Sequence, residues 1–388
     1  MDPVRNPYSP GAGLKPSALV GRDTVIDGWG VSLQRAERGK TDQPMVLYGL
    51  RGVGKTVLLS RLRRDADERD WITVQVEAGS GRPLREMVGE GLYEPLSDLA
   101  QPSAGKRLLR ALKTALSFKA SYDSAGNWNF GIDLSDATGG AADSGVLLTD
   151  LSKIIRDISR AAGDKGVGLA LLIDETQDLN PEEIQTLAAV MQSAATEGLP
   201  VLFALAGLPS LPQTLAEAKS YSERFRYHVI EKLDIDAAKE AILKPARDEA
   251  VEWSRQALEH VVNASGRYPY FIQQFGQETW NVATNTPIQF TDAQIGVAAG
   301  QGQLDNGFFR ARWDRTTAAE KQYLQAMCPE GDDGVGSGEV ANRLNRAGNS
   351  LGPTRANLIH KGLIYAPDHG IVAFTVPGMA SFIARQHN

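Results

Sequence analysis

The sequence predicts an α/β protein with a parallel β-sheet, followed by a helical region and a smaller C-terminal module. Three observations carry that expectation. Gly49-Leu50-Arg51-Gly52-Val53-Gly54-Lys55-Thr56 fits the pattern G-x-x-x-x-G-K-[ST] at every fixed position, between the apolar run Met45–Tyr48 and the helix-forming stretch Val57–Leu62. Leu169-Ala170-Leu171-Leu172-Ile173 is an uninterrupted apolar run, suited to a strand buried on both faces, and it ends in Asp174-Glu175. Strand-like and helix-like segments alternate over residues 19–235, the signature of a parallel sheet with helices on both faces.

The chemistry of the loop explains its residue types. Gly49, Gly52 and Gly54 let the backbone bend tightly and turn its N–H groups inward on phosphates. The helix that follows points its positive N-terminal end at the same anion. Lys55 can reach the β- and γ-phosphates, and the Thr56 hydroxyl can hold Mg²⁺. Leu50, Arg51, Val53 and Val57 complete the nucleotide-binding segment. Asp174 and Glu175 stand at the C-terminal end of a strand, where open α/β sheets bind ligands. Asp174 would reach magnesium through water, and Glu175 would polarise the attacking water. The bland alternative is that the pair caps the helix starting near Pro181-Glu182-Glu183. With the loop present, the expectation is a chain that binds and hydrolyses a nucleoside triphosphate.

Composition narrows the rest. With 388 residues, two or three domains are expected. A net charge of −6 argues against a general polyanion binder and leaves room for a local basic patch. Cys328 is the only cysteine, so neither an intramolecular disulfide nor a thiolate metal cluster can form, and five scattered histidines give no zinc set. No apolar run approaches the ~20 residues needed to span a bilayer, and the start of the chain lacks the apolar core of a signal peptide. These features place the protein in the cytoplasm, away from membranes.

In order along the chain, residues 1–18 read as a flexible, proline- and glycine-rich segment. A helix through Gln34 precedes the strand at Met45 and the helix from Thr56 to about Asp65. A second strand, Ile72–Val76, leads to helices over Leu84–Ala100 and Lys106–Ser117. Within residues 118–145, Phe118–Tyr122 and Trp128–Ile132 flank Asp123-Ser124-Ala125-Gly126-Asn127, the pattern of an inserted hairpin, followed by the flexible run Ala137–Ser144. A helix over Val146–Ala161, the Asp174 strand, a helix over Pro181–Thr196 and strands at Val201–Leu205 and Tyr227–Leu233 close the core at residue 235. Residues 236–307 form a helical lid, with Ala237–Leu243, Arg255–Ala264 and Tyr270–Ala283 the clearest segments. Residues 308–388 give helices at Ala318–Met327, Gly338–Arg346 and Pro353–Lys361, then Leu363–Tyr365, a turn at Asp368-His369-Gly370, and Ile371–Thr375. Three helices and a hairpin describe a winged helix-turn-helix.

These motifs resemble those of a bacterial AAA+ ATPase of the archaeal-ATPase and Orc1/Cdc6-like type, bordering on the STAND signalling ATPases. The resemblance runs from Val20-Gly21-Arg22-Asp23 to Phe374-Thr375-Val376-Pro377. It implies that Gly21 and Arg22 lie over the adenine and that Pro269, in Gly266-Arg267-Tyr268-Pro269-Tyr270, packs near the base. The family's Gly-x-Pro spacing is stretched here by one residue. The polar sensor that the family places after the fourth strand would fall near Ala206–Ser210, where the strand end carries no Asn or Thr and Ser210 is the candidate. Arg224, in Ser222-Glu223-Arg224-Phe225-Arg226, corresponds to the arginine presented to a neighbouring subunit's γ-phosphate, with Arg226 the second choice. A solvated arginine pairing with Glu223 or Glu231 is the alternative. No Asn-Lys-x-Asp motif follows the core strands, which disfavours guanine.

From Arg310 onward there are nine Lys and Arg against seven Asp and Glu, while the remainder of the chain is net acidic. Thr354, Arg355, Asn357 and Lys361 on the expected recognition helix are types that contact phosphates or base edges, and His369 marks the wing tip. Winged helices also dock proteins, so duplex DNA, an unidentified protein partner and a homo-oligomer all stay open. The leading expectation is an ATP- and Mg²⁺-dependent switch that couples nucleotide state to DNA or partner binding. A signalling scaffold with structural ATP or ADP and negligible turnover, and a DNA-loading or remodelling motor, are the alternatives. A metabolic kinase ranks last, as no small-molecule acceptor pocket is signalled.

Overall fold

The computed structural model describes residues 1–11, 13–99, 105–120 and 139–386. The chain divides into two compact units. One comprises Arg22–Tyr48 and Lys55–Val229; the other gathers Met1–Gly21, Gly49–Gly54 and Ile230–Asn388.

The first unit is built on a five-stranded sheet. In chain order its elements are α1 (Asp23–Glu37), β1 (Met45–Tyr48), α2 (Lys55–Asp67), β2 (Ile72–Glu77), α3 (Leu84–Leu99), α4 (Lys106–Ala120), α5 (Leu147–Gly163), β3 (Leu169–Asp174), α6 (Pro181–Thr196), β4 (Val201–Gly207), α7 (Leu211–Ala218) and β5 (Arg226–Val229). The strands are all parallel in the order β2-β3-β4-β1-β5. β3 and β4 are buried at every residue, which is why their sequences are unbroken apolar runs. The register aligns Leu47 with Ala206 and Ile173 with Leu205, so the C-terminal ends of β1 and β3 flank that of β4.

Helices cover the sheet through apolar stripes at helical spacing. α5 buries Leu151, Ile154, Ile155, Ile158, Ala161 and Ala162. α4 adds Leu108, Ala111, Leu112, Ala115 and Phe118 to the same core. Each fully buried Leu, Ile or Phe side chain there contributes about 1.5–3 kcal/mol. Phe118 therefore corrects the expected insertion: with 1% exposure it ends a helix and does not begin a hairpin strand. The hairpin turn expected at Asp123–Asn127 lies outside the described residues. The run expected to be flexible is anchored at its end, where Ala142 is buried and donates its N–H to Ser117 Oγ, and Ser144 and Gly145 donate theirs to the buried Asp150 carboxylate.

The second unit contains α8 (Ile235–Asp248), α9 (Arg255–Ala264), α10 (Pro269–Val282) and α11 (Phe290–Gln303), then a π-helical stretch over Leu304–Phe309 and α12 (Arg310–Trp313). α13 (Ala318–Met327), β6 (Val335–Gly336), α14 (Ser337–Arg343), α15 (Gly352–His360), β7 (Ile364–Tyr365), β8 (Ile371–Phe374) and α16 (Met379–Arg385) follow. The three short strands form an antiparallel sheet in the order β6-β8-β7. A continuous apolar core links α8–α11 to α13–α16.

The N-terminal segment, expected to be flexible, is tied into this core. Tyr8 is 1% exposed, sits edge-on to Trp253 and Trp280, and donates its hydroxyl to Ile242 O at 2.7 Å. Burial raises its pKa well above the ordinary tyrosine value. Asn6 and Asp2 add bonds to Gln277 O and from Trp280 Nε1.

Candidate nucleotide site

The glycine-rich loop joins β1 to α2, as the motif requires. Gly52 and Gly54 adopt positive φ of 81° and 92°, a region open to glycine at little cost. Gly49 is required for another reason, since a Cβ there would lie 2.1 Å from Ile230 O. Two backbone hydrogen bonds hold the loop: Tyr270 N donates to Gly52 O at 3.2 Å, and Arg51 N donates to Thr375 O at 3.0 Å. Thr375 is buried immediately after β8, and its own hydroxyl is spent on Gly362 O. Pro269 and Tyr270 begin α10, where proline suits the first turn because its missing N–H would have no helical partner. The Tyr270 ring stacks on Phe308 with centroids 5.0 Å apart, and the Arg312 guanidinium lies 4.0 Å above Phe308. Gly21, at φ 67°, packs against α8, where a Cβ would come within 2.9 Å of Ala237 Cβ.

Lys55 and Thr56 open α2, with Lys55 buried at 6% exposure. The Thr56 hydroxyl donates to Asp174 Oδ2 at 2.6 Å, which brings the motif threonine and the carboxylate ending β3 together. Asp174 is 4% exposed, and burial raises its pKa from the ordinary value. The Thr56 and Glu175 N–H bonds and the Lys55 charge oppose that rise, while the Glu175 charge adds to it. A buried carboxylate so poised, beside a hydroxyl, is an oxygen donor set that suits Mg²⁺. Among the described residues no group of three or more His, Cys, Asp or Glu could hold a metal ion by itself.

Glu175 occupies the left-handed region at φ 47°, an uncommon and costly conformation for a non-glycine residue. Its carboxylate accepts from Gln177 Nε2 at 2.7 Å. The helix-cap alternative for Asp174 and Glu175 is removed. α6 is capped by Asn180, whose side chain accepts from Glu183 N while Glu183 accepts from Asn180 N.

Ser210, the candidate sensor, precedes α7 and makes no side-chain capping bond there. The side chain that meets the end of β4 is Gln177, whose Oε1 accepts from Leu208 N at 2.9 Å. Arg224 is exposed in a 3₁₀ turn beside β5. Arg226, the second choice, is committed to Asp42 at 2.8 Å and Ser32 at 3.3 Å. Arg22 precedes α1 without a side-chain capping bond to it.

At the far end of the chain, Lys361, expected to face DNA, is already paired, and so are two of the other cations in the local charge excess. Lys361 Nζ lies 2.7 Å from Glu320 Oε2 and also donates to Arg315 O. Arg343 pairs with Glu330 and Glu339, and Arg385 with Asp305 at 2.7 Å. Arg355 is half-buried with an Nε that has no hydrogen-bond partner. No helix among the described residues is long and apolar enough to cross a membrane.

Residues 18–204 match the AAA ATPase domain family model, and residues 306–383 match a domain of unknown function. A Walker-type ATPase of Pyrococcus abyssi is similar in fold, with 16% identity, a TM-score of 0.59, and coverage of 95% of this chain and 97% of that one. Cdc6p of Pyrobaculum aerophilum aligns with 13% identity and a TM-score of 0.49, over 99% of this chain and 97% of that one. The RuvB Holliday junction branch migration motor of Thermotoga maritima gives 16% identity and 0.47, over 93% and 96%. No curated protein sequence matches the chain significantly. The AAA ATPase match and the shared fold support a P-loop nucleotide-binding domain, in keeping with the loop and Asp174.

Proposed function

We propose that this protein is an ATP-binding and ATP-hydrolysing switch in which the nucleotide's state is passed from the phosphate loop to the C-terminal module. One observation carries the coupling: the loop's own Arg51 N–H is bonded to Thr375 O, at the end of the last strand. A loop that rearranges around a γ-phosphate strains or releases that bond. Coupling of this kind needs only that one nucleotide state favours one loop arrangement over the other.

In this reading the backbone N–H groups of Gly52 through Thr56 cradle the phosphates, Lys55 neutralises the β- and γ-oxygens, and Pro269 with Gly21 and Arg22 borders the base. Thr56 and Asp174 would hold Mg²⁺, which supplies charge stabilisation to the phosphates. Glu175 takes the proton-accepting role toward the attacking water, a contribution of ~10²–10⁴-fold. Arg224, exposed on its 3₁₀ turn, is the arginine offered to a neighbouring subunit.

We read the C-terminal helices α13–α15 and the sheet β6-β8-β7 as a winged helix. The pairing of Lys361 with Glu320 favours a protein-docking surface over a DNA-reading one, and Arg355, the other cation of the recognition helix, is half-buried. The test is particle size and ATPase rate with ADP, ATP and a non-hydrolysable analogue, each with and without duplex DNA. A slow basal rate, an ATP-dependent change in size or exchange, and no stimulation by DNA would fit a protein-docking switch. Turnover strongly raised by DNA would establish the motor reading in its place. ADP that stays bound with no measurable turnover would establish the scaffold.

A further inference from the structure

The end of β4 is apolar in sequence, Leu205-Ala206-Gly207-Leu208, yet the first backbone N–H beyond it is not left to solvent. It donates to Gln177 Oε1 at 2.9 Å, and the other end of the same amide donates to Glu175 Oε2 at 2.7 Å and to Asp178 Oδ1 at 3.2 Å. Only one orientation of the amide satisfies both sides, because a backbone N–H needs the oxygen and a carboxylate needs the nitrogen. Space is reserved for it. A Cβ on Gly207 would lie 2.5 Å from Gln177 Oε1 and 2.8 Å from Leu211 Cδ2, so glycine at the strand end admits the amide. The register sets this bridge between the end of β3 and the end of β4. Glu175 itself starts from a left-handed backbone, so a second point of fixation decides where its carboxylate rests.

We propose that Gln177 is a positioning residue for Glu175, supplying from the β3 side the polar group that β4 lacks and holding the carboxylate on a fixed reference at Leu208. The proposal rests on the reading of Glu175 as the group that activates water. Gln177 touches neither water nor phosphate in this scheme; it acts through Glu175. Its loss should therefore slow the chemical step without weakening nucleotide binding, since a misplacement of about 1 Å costs up to ~10²-fold.

The experiment compares the full-length wild type with Gln177→Met, Gln177→Glu, Glu175→Gln and the Gln177→Met/Glu175→Gln double variant. Steady-state ATPase rates and the affinity for a fluorescent ATP analogue with Mg²⁺ are measured for each. Gln177→Met keeps the length but removes both bonds, and kcat should fall roughly ten- to a hundredfold with affinity within about twofold. Gln177→Glu keeps the acceptor for Leu208 and hence the local fold, but sets a second carboxylate against Glu175; its kcat should fall at least as far. The double variant should match Glu175→Gln alone, because a residue acting through Glu175 has nothing left to act on. Wild-type kcat in both Gln177 variants, alongside a slow Glu175→Gln, overturns the assignment of Gln177 alone. Additive losses, or affinity that falls together with kcat, overturn it in favour of a merely structural role. Wild-type turnover in Glu175→Gln overturns the reading of Glu175 and Gln177 together.

Discussion

Two carboxylates in this protein expose little surface and behave in opposite ways, Asp174 lying deep in its unit and Glu320 close to the surface of its own. Asp174, 4% exposed at the end of β3, has its pKa raised because burial outweighs the bonds from Thr56 and Glu175 N–H. Glu320, 3% exposed in the first turn of α13, has its pKa lowered. Burial pushes Glu320 up as well, but the Lys361 bond and charge and the Thr317 bonds together outweigh it. A buried charge satisfied by its own chain is part of the scaffold. One whose pKa stays raised despite a hydroxyl and a backbone N–H beside it is a candidate for a functional role.

The largest effect should come from Lys55→Ala. Removing the charge facing the β- and γ-phosphates should lower ATP affinity on the order of a hundredfold or more by calorimetric titration, and unchanged affinity would take Lys55 out of the site. Glu175→Gln comes next. It should retain binding and lose ~10²–10⁴-fold in turnover, whereas the uninvolved Glu320→Gln should retain both.

The comparison sharpens through stability. Glu320→Gln keeps a side chain able to complete the capping box but removes its charge from Lys361. It should cost about 1–2 kcal/mol at pH 7 in chemical denaturation. Because the folded pKa of Glu320 is lowered, its contribution is present above the ordinary carboxylate range and fades as pH falls through the folded value. The wild-type advantage should accordingly vanish in acid.

Asp174→Asn should give the smallest shift and the opposite sign. A raised folded pKa means that the native state holds the proton longer than the unfolded chain, so the charge is costly once pH climbs through the folded value. The nucleotide-free variant should melt about 2–4 °C higher at neutral pH per kcal/mol recovered. The difference should disappear below about pH 4, and Mg²⁺-dependent nucleotide binding should weaken. A lower melting temperature would mean that the native carboxylate is stabilised by its neighbours, as Glu320 is.

What could be read in the sequence was local in the chain. The loop at Gly49–Thr56 and the apolar strand ending in Asp174-Glu175 carry their chemistry within a few residues, and both stand where expected. Gln177 was invisible because its partner is a backbone N–H 31 residues away, just beyond another strand. The ion pair of Lys361 was hidden for the same reason, since Glu320 lies 41 residues earlier. The N-terminal segment looked flexible because glycine and proline dominate it, whereas one aromatic, Tyr8, finds its acceptor 234 residues away. The close packing of α11 on α10 was equally out of reach of the sequence. α11 carries Gly296 and Gly300, which admit Thr279 and Phe275 of α10 at distances a Cβ would forbid.

The central claim is that the phosphate loop and the C-terminal module respond to nucleotide as one. Hydrogen–deuterium exchange measured with ADP and with a non-hydrolysable ATP analogue, in the wild type and in Lys55→Ala, tests it most directly. Peptides covering Gly49–Gly54 and Ile371–Val376 should change protection together between the two nucleotides in the wild type and remain unchanged in Lys55→Ala. Protection that changes in the loop while the Ile371–Val376 peptide stays constant would contradict the switch and leave the bond between Arg51 and Thr375 a fixed structural tie.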